Sequence, residues 1–272
     1  MSVRRAPSLS VMMPAYNAER FIEEAVRGVL AQTFTDFELL VVDDGSTDRT
    51  LAIVQAIDDP RIVVVSQPNQ GAGAARRKAV TMATAPIITC ADADDVSRPN
   101  RFAAQMAFLA AHPDHVLVAS QMSLLREGRL VGQTAYRNTD EEIKKQLLRF
   151  NPIPQPSVMF RKAAYVGAGG YRDDYRTAED YDLWLRMHRF GRFHVLEEPL
   201  VDYRLHGGQS KTSHTKRQLR ETIAVKRKAV KEHGYTWSAP SLAIVMLEWG
   251  LQIVPSSWIV YAHRKLFYRR QS

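Results

Sequence analysis

The chain has 272 residues, 45% of them hydrophobic and 24% charged, with a formal net charge of +8. This suits one large soluble domain with an appendage, and the single cysteine, Cys90, excludes an intramolecular disulfide framework and fits a reducing cytoplasm. The charge is uneven: Lys211 to Ser272 holds twelve Lys/Arg against three Glu, so the remainder is nearly neutral and a nucleic-acid partner is not expected. The first ten residues have only a short apolar run after Arg4 and Arg5, so no secretory leader is expected either.

Taken in order, Leu9 to Met13 reads as a first strand stopped by Pro14. Asn17 is placed to cap a helix whose Phe21, Ile22, Ala25, Val26, Val29 and Leu30 share a face. Phe37 to Val42 is a second strand, apolar enough to be covered on both sides, and it runs into the turn Asp43 to Asp48. A helix over Arg49 to Ile57, a strand over Ile62 to Val65 and a helix over Ala72 to Ala83 follow. The strand Ile87 to Cys90 and the helix Asn100 to Ala111 complete four strand–helix units. That alternation predicts an α/β, Rossmann-like, doubly wound and mostly parallel sheet, in which ligands bind beyond the carboxyl ends of the strands. Three polar loops then converge there: Pro14 to Asn17, Asp43 to Asp48 and Asp92 to Asp95.

The second half is less regular. We expect strands at Val116 to Ala119, Ser157 to Phe160, Phe193 to Leu196 and Leu200 to Tyr203. Helices are expected from a Thr139–Glu142 capping box to about Phe150, and from Ala178 to Arg189 with Gly191 as its stop. The Pro-rich run Asn151 to Pro156 fits neither helix nor central strand. Lys216 to Glu232 reads as a basic helix. Ser241 to Ala262 is apolar with interfacial aromatics, yet it holds Glu248, Gln252 and Pro255. It suits a helical hairpin on an anionic membrane surface better than a spanning segment; a helical pair packed on the domain is the alternative. We therefore divide the chain into a catalytic domain over 1–212, with halves at about 8–115 and 116–212, and a basic helical tail over 213–272.

Asp92, Asp94 and Asp95 put three acids in four residues. They repel one another and need a neutralising cation, for which a hard divalent ion such as Mg²⁺ or Mn²⁺ is the first candidate. A solvated acidic turn is the simpler alternative. Val11 to Asn17, Val41 to Asp48, the Asp92–Asp95 cluster and Glu179-Asp180, in that order, resemble glycosyltransferase family 2 over roughly residues 8 to 211.

The resemblance implies the GT-A fold, a nucleotide-diphosphate sugar donor and inversion at the anomeric carbon. It points to a UDP-sugar, whose uracil N3–H would be read by Asp44. It implies that Tyr16 stacks on the base and that Pro14 and Ala15 shape the pocket floor. Asp92 faces the ribose or the ion, Asp94 ligates the divalent metal, and His206 and Lys211 approach the diphosphate or metal. Asp180 is then the base that takes the acceptor proton. Arg76 either meets the donor's nucleotide or phosphates, or pairs with the acidic cluster. The Gln-x-x-Arg-Trp motif of processive relatives is absent, because Gln218-Leu219-Arg220 lacks the Trp. The expectation is single-sugar transfer to a glycan or lipid-linked acceptor in surface polysaccharide synthesis, by a cytoplasmic enzyme peripheral to the inner face of the cell membrane. A nucleotidyltransferase and a non-catalytic sugar-nucleotide binding protein are the alternatives.

Overall fold

A computed structural model describes residues 6–206 and 215–252. Lys211, Pro255, Trp258, Tyr261 and the basic run from His263 to Arg270 lie outside the described residues.

Strands β1 (Leu9–Ala15), β2 (Phe37–Asp43), β3 (Ile62–Ser66) and β4 (Ile87–Cys90) alternate with helices α1 (Ile22–Leu30), α2 (Thr50–Gln55) and α3 (Ala72–Met82). The four strands are parallel in the order β3-β2-β1-β4, so the doubly wound half is as the periodicity predicts. The cause is visible in β1, β2 and β4, where almost every side chain is buried on both faces. The start of α1 differs. Phe21, not Asn17, precedes the helix, and Asn17 takes a left-handed conformation (φ 48°) and accepts from the Thr47 amide at 2.8 Å. Bridging to the next loop wins over capping.

After β4 come β5 (Val96–Ser97), α4 (Arg101–Ala111), β6 (His115–Arg126), β7 (Arg129–Gln133), α5 (Asp140–Gln146), β8 (Met159–Arg161), α6 (Lys162–Gly167), α7 (Glu179–Met187) and β9 (Arg192–Arg204). The sheet continues β4-β8-β6-β9-β5, with β7 beside β6. β8 is antiparallel to both β4 and β6, whereas β6 and β9 run parallel. The two short strands expected near Phe193 and Leu200 are one strand with register shifts opposite Ser120 to Met122. Gly191 does not stop α7 through a left-handed turn. A Cβ there would stand 2.5 Å from Val116 Cγ1 and 2.8 Å from the Asp114 carbonyl, so close approach to β6 is what requires glycine.

β5 is not evident in the sequence, and it matters most for the site. It pairs with Val201 and Asp202 and so draws the end of β9 alongside the acidic turn.

Two further helices follow, α8 (Thr215–Glu232) and α9 (Ala239–Leu251). α8 packs on α7 and contributes Val225 and Ala229 to the main core cluster. Glu221 accepts from the Thr177 amide and hydroxyl, both at 2.7 Å. Lys226 is fully buried and meets both carboxylate oxygens of Glu248 on α9 at 2.6 and 2.7 Å, as well as the Arg149 carbonyl at 2.7 Å. Among the described residues no helix is long and apolar enough to cross a membrane.

A buried ion pair is weak evidence for net stability, but stranding one partner is costly. Lys226→Met alone should destabilise the protein by about 3 kcal/mol in urea denaturation, and adding Glu248→Leu should recover most of that loss. A double substitution no more stable than the single one would show that the pair is not the joint between α8 and the domain.

Candidate functional site

The strand-end loops do converge. β1 and β2 are tied by the Asp44 amide donating to the Ala15 carbonyl at 2.8 Å, and Ala18 N donates to Thr50 Oγ1 at 2.7 Å. Ala15 is buried, and Tyr16 is 52% exposed beside it. Asp43 and Asp48 are turn-formers: Asp43 accepts from Ser66 Oγ at 2.8 Å, and Asp48 accepts from the Thr50 and Glu19 amides at 2.9 and 3.0 Å.

Asp44 is buried and already receives three hydrogen bonds. Gln67 Nε2 and the Gln70 amide donate to Oδ1 at 2.8 and 3.0 Å, and the Gly71 amide donates to Oδ2 at 2.7 Å. A carboxylate has about four lone-pair positions, so one further donor can join. Asp44 thereby fixes the start of α3, which places Arg76 one turn later.

Arg76 meets the acidic cluster, the second of the two roles expected of it. Nη2 donates to Asp92 Oδ1 at 3.2 Å and Nη1 to Glu179 Oε1 at 2.8 Å. Burial works against this guanidinium, yet Asp92, Cys90 and Glu179 together raise its pKa well above the usual range. The ends of α3 and α7 come this close because Gly73 has no side chain; a Cβ would stand 3.0 Å from Glu179 Cγ. Glu179 is buried, and burial, with Asp180 next, outweighs Arg76 and pushes its carboxyl up to about 7.

Arg101, which nothing in its local sequence marks out, lies beneath the acidic turn with no exposed surface. Its guanidinium donates to the Cys90 carbonyl at 2.6 Å, Thr89 Oγ1 at 3.0 Å and Ser97 Oγ at 2.9 Å. Burial lowers its pKa to about 10, which still leaves it charged near neutrality. Cys90 is inert: burial and Asp92 push its thiol up to about 12.

The three acids have separate surroundings. Asp95 is buried and accepts from the Arg204 amide at 2.9 Å, so it ties the turn to the end of β9. Asp94 is partly exposed, and its Oδ2 lies 2.9 Å from His206 Nε2, while Arg204 Nη1 donates to its carbonyl at 3.2 Å. Burial, then the neighbouring Asp92, pushes the Asp94 carboxyl up. The His206 ring lies 4.8 Å from that of Phe21. Asp92, Asp94 and His206 do not gather around one point. Among the described residues no three His, Cys, Asp or Glu side chains form a group able to hold an ion. Asp94 and His206 do form an oxygen–imidazole pair whose donor chemistry suits Mn²⁺, with the carboxylates also suiting Mg²⁺.

Asp180 stands in the first turn of α7, and Asn151 Nδ2 donates to its Oδ2 at 3.0 Å. Asn151 itself is braced by the Ile153 amide, so the start of the Pro-rich run serves to orient Asp180. Trp184 is fully buried core, and Gln155 is buried with Nε2 donating to the Tyr171 hydroxyl at 3.1 Å.

The family model for "Glycosyl transferase family 2" matches residues 10–166, more than half of the chain. The chain belongs to this family. It is 29% identical to the O-antigen biosynthesis glycosyltransferase WbnJ of Escherichia coli, over 78% of this chain and 85% of that protein. The fold matches Staphylococcus aureus TarS in complex with UDP-GlcNAc (TM-score 0.71, 21% identity, 96% of this chain and 73% of that one). It also matches the Pyrobaculum calidifontis mannosyltransferase PcManGT in complex with GDP-Man and Mn²⁺ (TM-score 0.62, 18% identity, 98% of this chain and 77% of that one). The fold is thus GT-A, and family membership sets aside the nucleotidyltransferase alternative.

Because the native Glu179 carboxyl titrates above its ordinary value, its contribution is favourable at low pH and is lost as pH rises from about 4.5 through about 7. The stability of the unaltered protein relative to Glu179→Gln should therefore fall by on the order of 2–3 kcal/mol between pH 5 and pH 8 in urea titrations. A difference that stays flat or grows with pH would contradict this environment for Glu179.

Proposed function

We propose that the protein transfers a single sugar from a nucleotide-diphosphate donor to a hydroxyl group with inversion at the anomeric carbon. The observation that supports the proposal is the Arg76 guanidinium, which joins Asp92 of the acidic turn to Glu179, the residue before the Asn151-held Asp180 on α7. Asp44 keeps a lone pair that would accept from the N3–H of a uracil, Tyr16 offers an exposed ring to the base, and Pro14 and Ala15 would line the floor. UDP-sugar is the donor we assign, in line with the UDP-GlcNAc held by TarS.

Asp94 and His206 would hold a divalent ion, with Asp92 beside them; Mn²⁺ accompanies GDP-Man in PcManGT. Such an ion would supply positive charge to offset that of the departing diphosphate. Arg76 holds Asp92 in place, and Asp95 and Arg101 hold the backbone of the turn. The Asp180 carboxylate removes the acceptor hydroxyl proton, the freed oxygen lone pair forms the new bond to the anomeric carbon, and the bond from that carbon to the diphosphate oxygen breaks. The electron pair leaves with the nucleoside diphosphate. Asn151 holds the carboxylate in register for this transfer.

The acceptor side is formed by the irregular second half, and we assign it a glycan or lipid-linked hydroxyl at an anionic membrane surface, as in surface polysaccharide assembly. The basic α8 and the apolar α9 support that surface, and we assign the protein a cytoplasmic, peripheral location. A non-catalytic donor-binding protein is the competing reading and would need no oriented carboxylate opposite the donor.

Asp180→Asn should lower kcat by a factor on the order of 10²–10⁴ while UDP-sugar with Mn²⁺ still raises the melting temperature as in the unaltered protein. Near-normal turnover would remove Asp180 as the base. Donor binding with no transfer to any hydroxyl by the unaltered enzyme would favour the binding protein.

A further inference from the structure

Helix α9 is built inside out. Its polar residues after the cap, Ser241 and Glu248, point inward: Ser241 is buried in a capping box with Ser238, and Glu248 meets buried Lys226. The outward face is made of Leu242, Ala243, Met246, Leu247, Trp249 and Gly250. Met246 is 73% exposed, Leu247 61%, Trp249 58% and Leu242 42%. An amphipathic helix on a water-facing surface has the reverse pattern. Glu248 therefore does not oppose contact with lipid, as its place in the sequence suggests; the ion pair with Lys226 removes it from that face.

At thirteen residues α9 is about 20 Å long, short of the roughly 20 residues needed to span a bilayer. Beside it, a groove of about 190 Å³ between α8 and α9 is lined by Arg220, Ile223, Ala224, Arg227, Trp249 and Gln252. Arg220 and Arg227 lie two turns apart on α8, and neither meets a carboxylate among the described residues. Two such guanidiniums flanking an exposed indole, next to an apolar face, match the boundary between acyl chains and anionic headgroups in charge and polarity.

We propose that α9 lies in the plane of an anionic lipid leaflet, with Leu242, Met246 and Leu247 in the acyl boundary. The α8–α9 groove takes a lipid phosphate between Arg220 and Arg227. This rests on the membrane-surface part of the proposed function and adds the face, the depth and the headgroup site. It gives the tail a link to catalysis as well. α8, which carries the two arginines, grips Thr177 through Glu221, three residues before Asp180, so the lipid-bound element braces the approach to the base.

The test is cosedimentation of the full chain with phosphatidylcholine vesicles, with and without 30% phosphatidylglycerol, alongside sedimentation velocity in the absence of lipid. The unaltered protein should bind the anionic vesicles. Leu242→Asp/Met246→Asp should abolish binding, and Arg220→Gln/Arg227→Gln should weaken it about 25-fold, at about 1 kcal/mol for each charge. Both variants should keep their urea midpoints. If the unaltered protein binds vesicles and the aspartate variant binds equally well, this face is not the lipid contact although the membrane reading stands. If the unaltered protein binds no vesicle, that reading fails too. A dimer dissociated by Leu242→Asp/Met246→Asp would instead assign the face to a second copy of the chain and overturn the proposal.

Discussion

Three carboxylates in four residues can stand at the end of a buried strand because two buried guanidiniums stand with them. Arg76 pairs with Asp92 from one side, and Arg101 binds the Cys90 carbonyl from below. Without them the desolvation and mutual repulsion of Asp92, Asp94 and Asp95 would turn the loop out to water. The remaining connections follow from this one. Arg76 is set by α3, α3 by Asp44, and Asp44 by the end of β2, so Asp44 and the acidic turn share a single frame. The second carboxylate of Arg76, Glu179, begins the helix that carries Asp180, so the same guanidinium joins the acidic turn to the start of that helix.

This changes what the acidic cluster says about an ion. Read from sequence, the need for a neutralising cation points to a metal. The protein supplies much of that charge itself, through Arg76 on Asp92 and Arg101 beneath the turn. In the function proposed above, a divalent ion would be held at the outer edge by Asp94 and His206, beside the donor's diphosphate. An ion bound in this way belongs to the donor complex more than to the free protein.

The doubly wound half is legible in the sequence because β1, β2 and β4 are covered on both faces and the helices between strands carry apolar stripes, and these patterns are local. The three strand-end loops follow from topology alone. What is not legible depends on pairings across long stretches of chain. β5 has two residues, and only its partner β9, a hundred positions away, makes it a strand. Arg101 and Gln105 look like a polar turn of an ordinary helix, and nothing local shows that they are buried. Asn17 has the right residue type for a cap but bonds Thr47 instead, because bridging β1 to β2 satisfies more groups. Asn151 is visible only as part of a Pro-rich run whose partner, Asp180, lies 29 residues on. In the described part of the tail, Glu248 interrupts the apolar run along the chain but not on the surface, because it turns inward to Lys226.

If the acidic turn is a donor site, its ion is completed by the donor's phosphates and not by the protein alone. Electron paramagnetic resonance of Mn²⁺ titrated into the protein, with and without UDP, tests this most directly. We expect weak binding of Mn²⁺ alone, binding tightened at least about tenfold by UDP, and loss of that gain in Asp94→Asn. Tight Mn²⁺ binding that is indifferent to UDP, or a gain that survives Asp94→Asn, would contradict it.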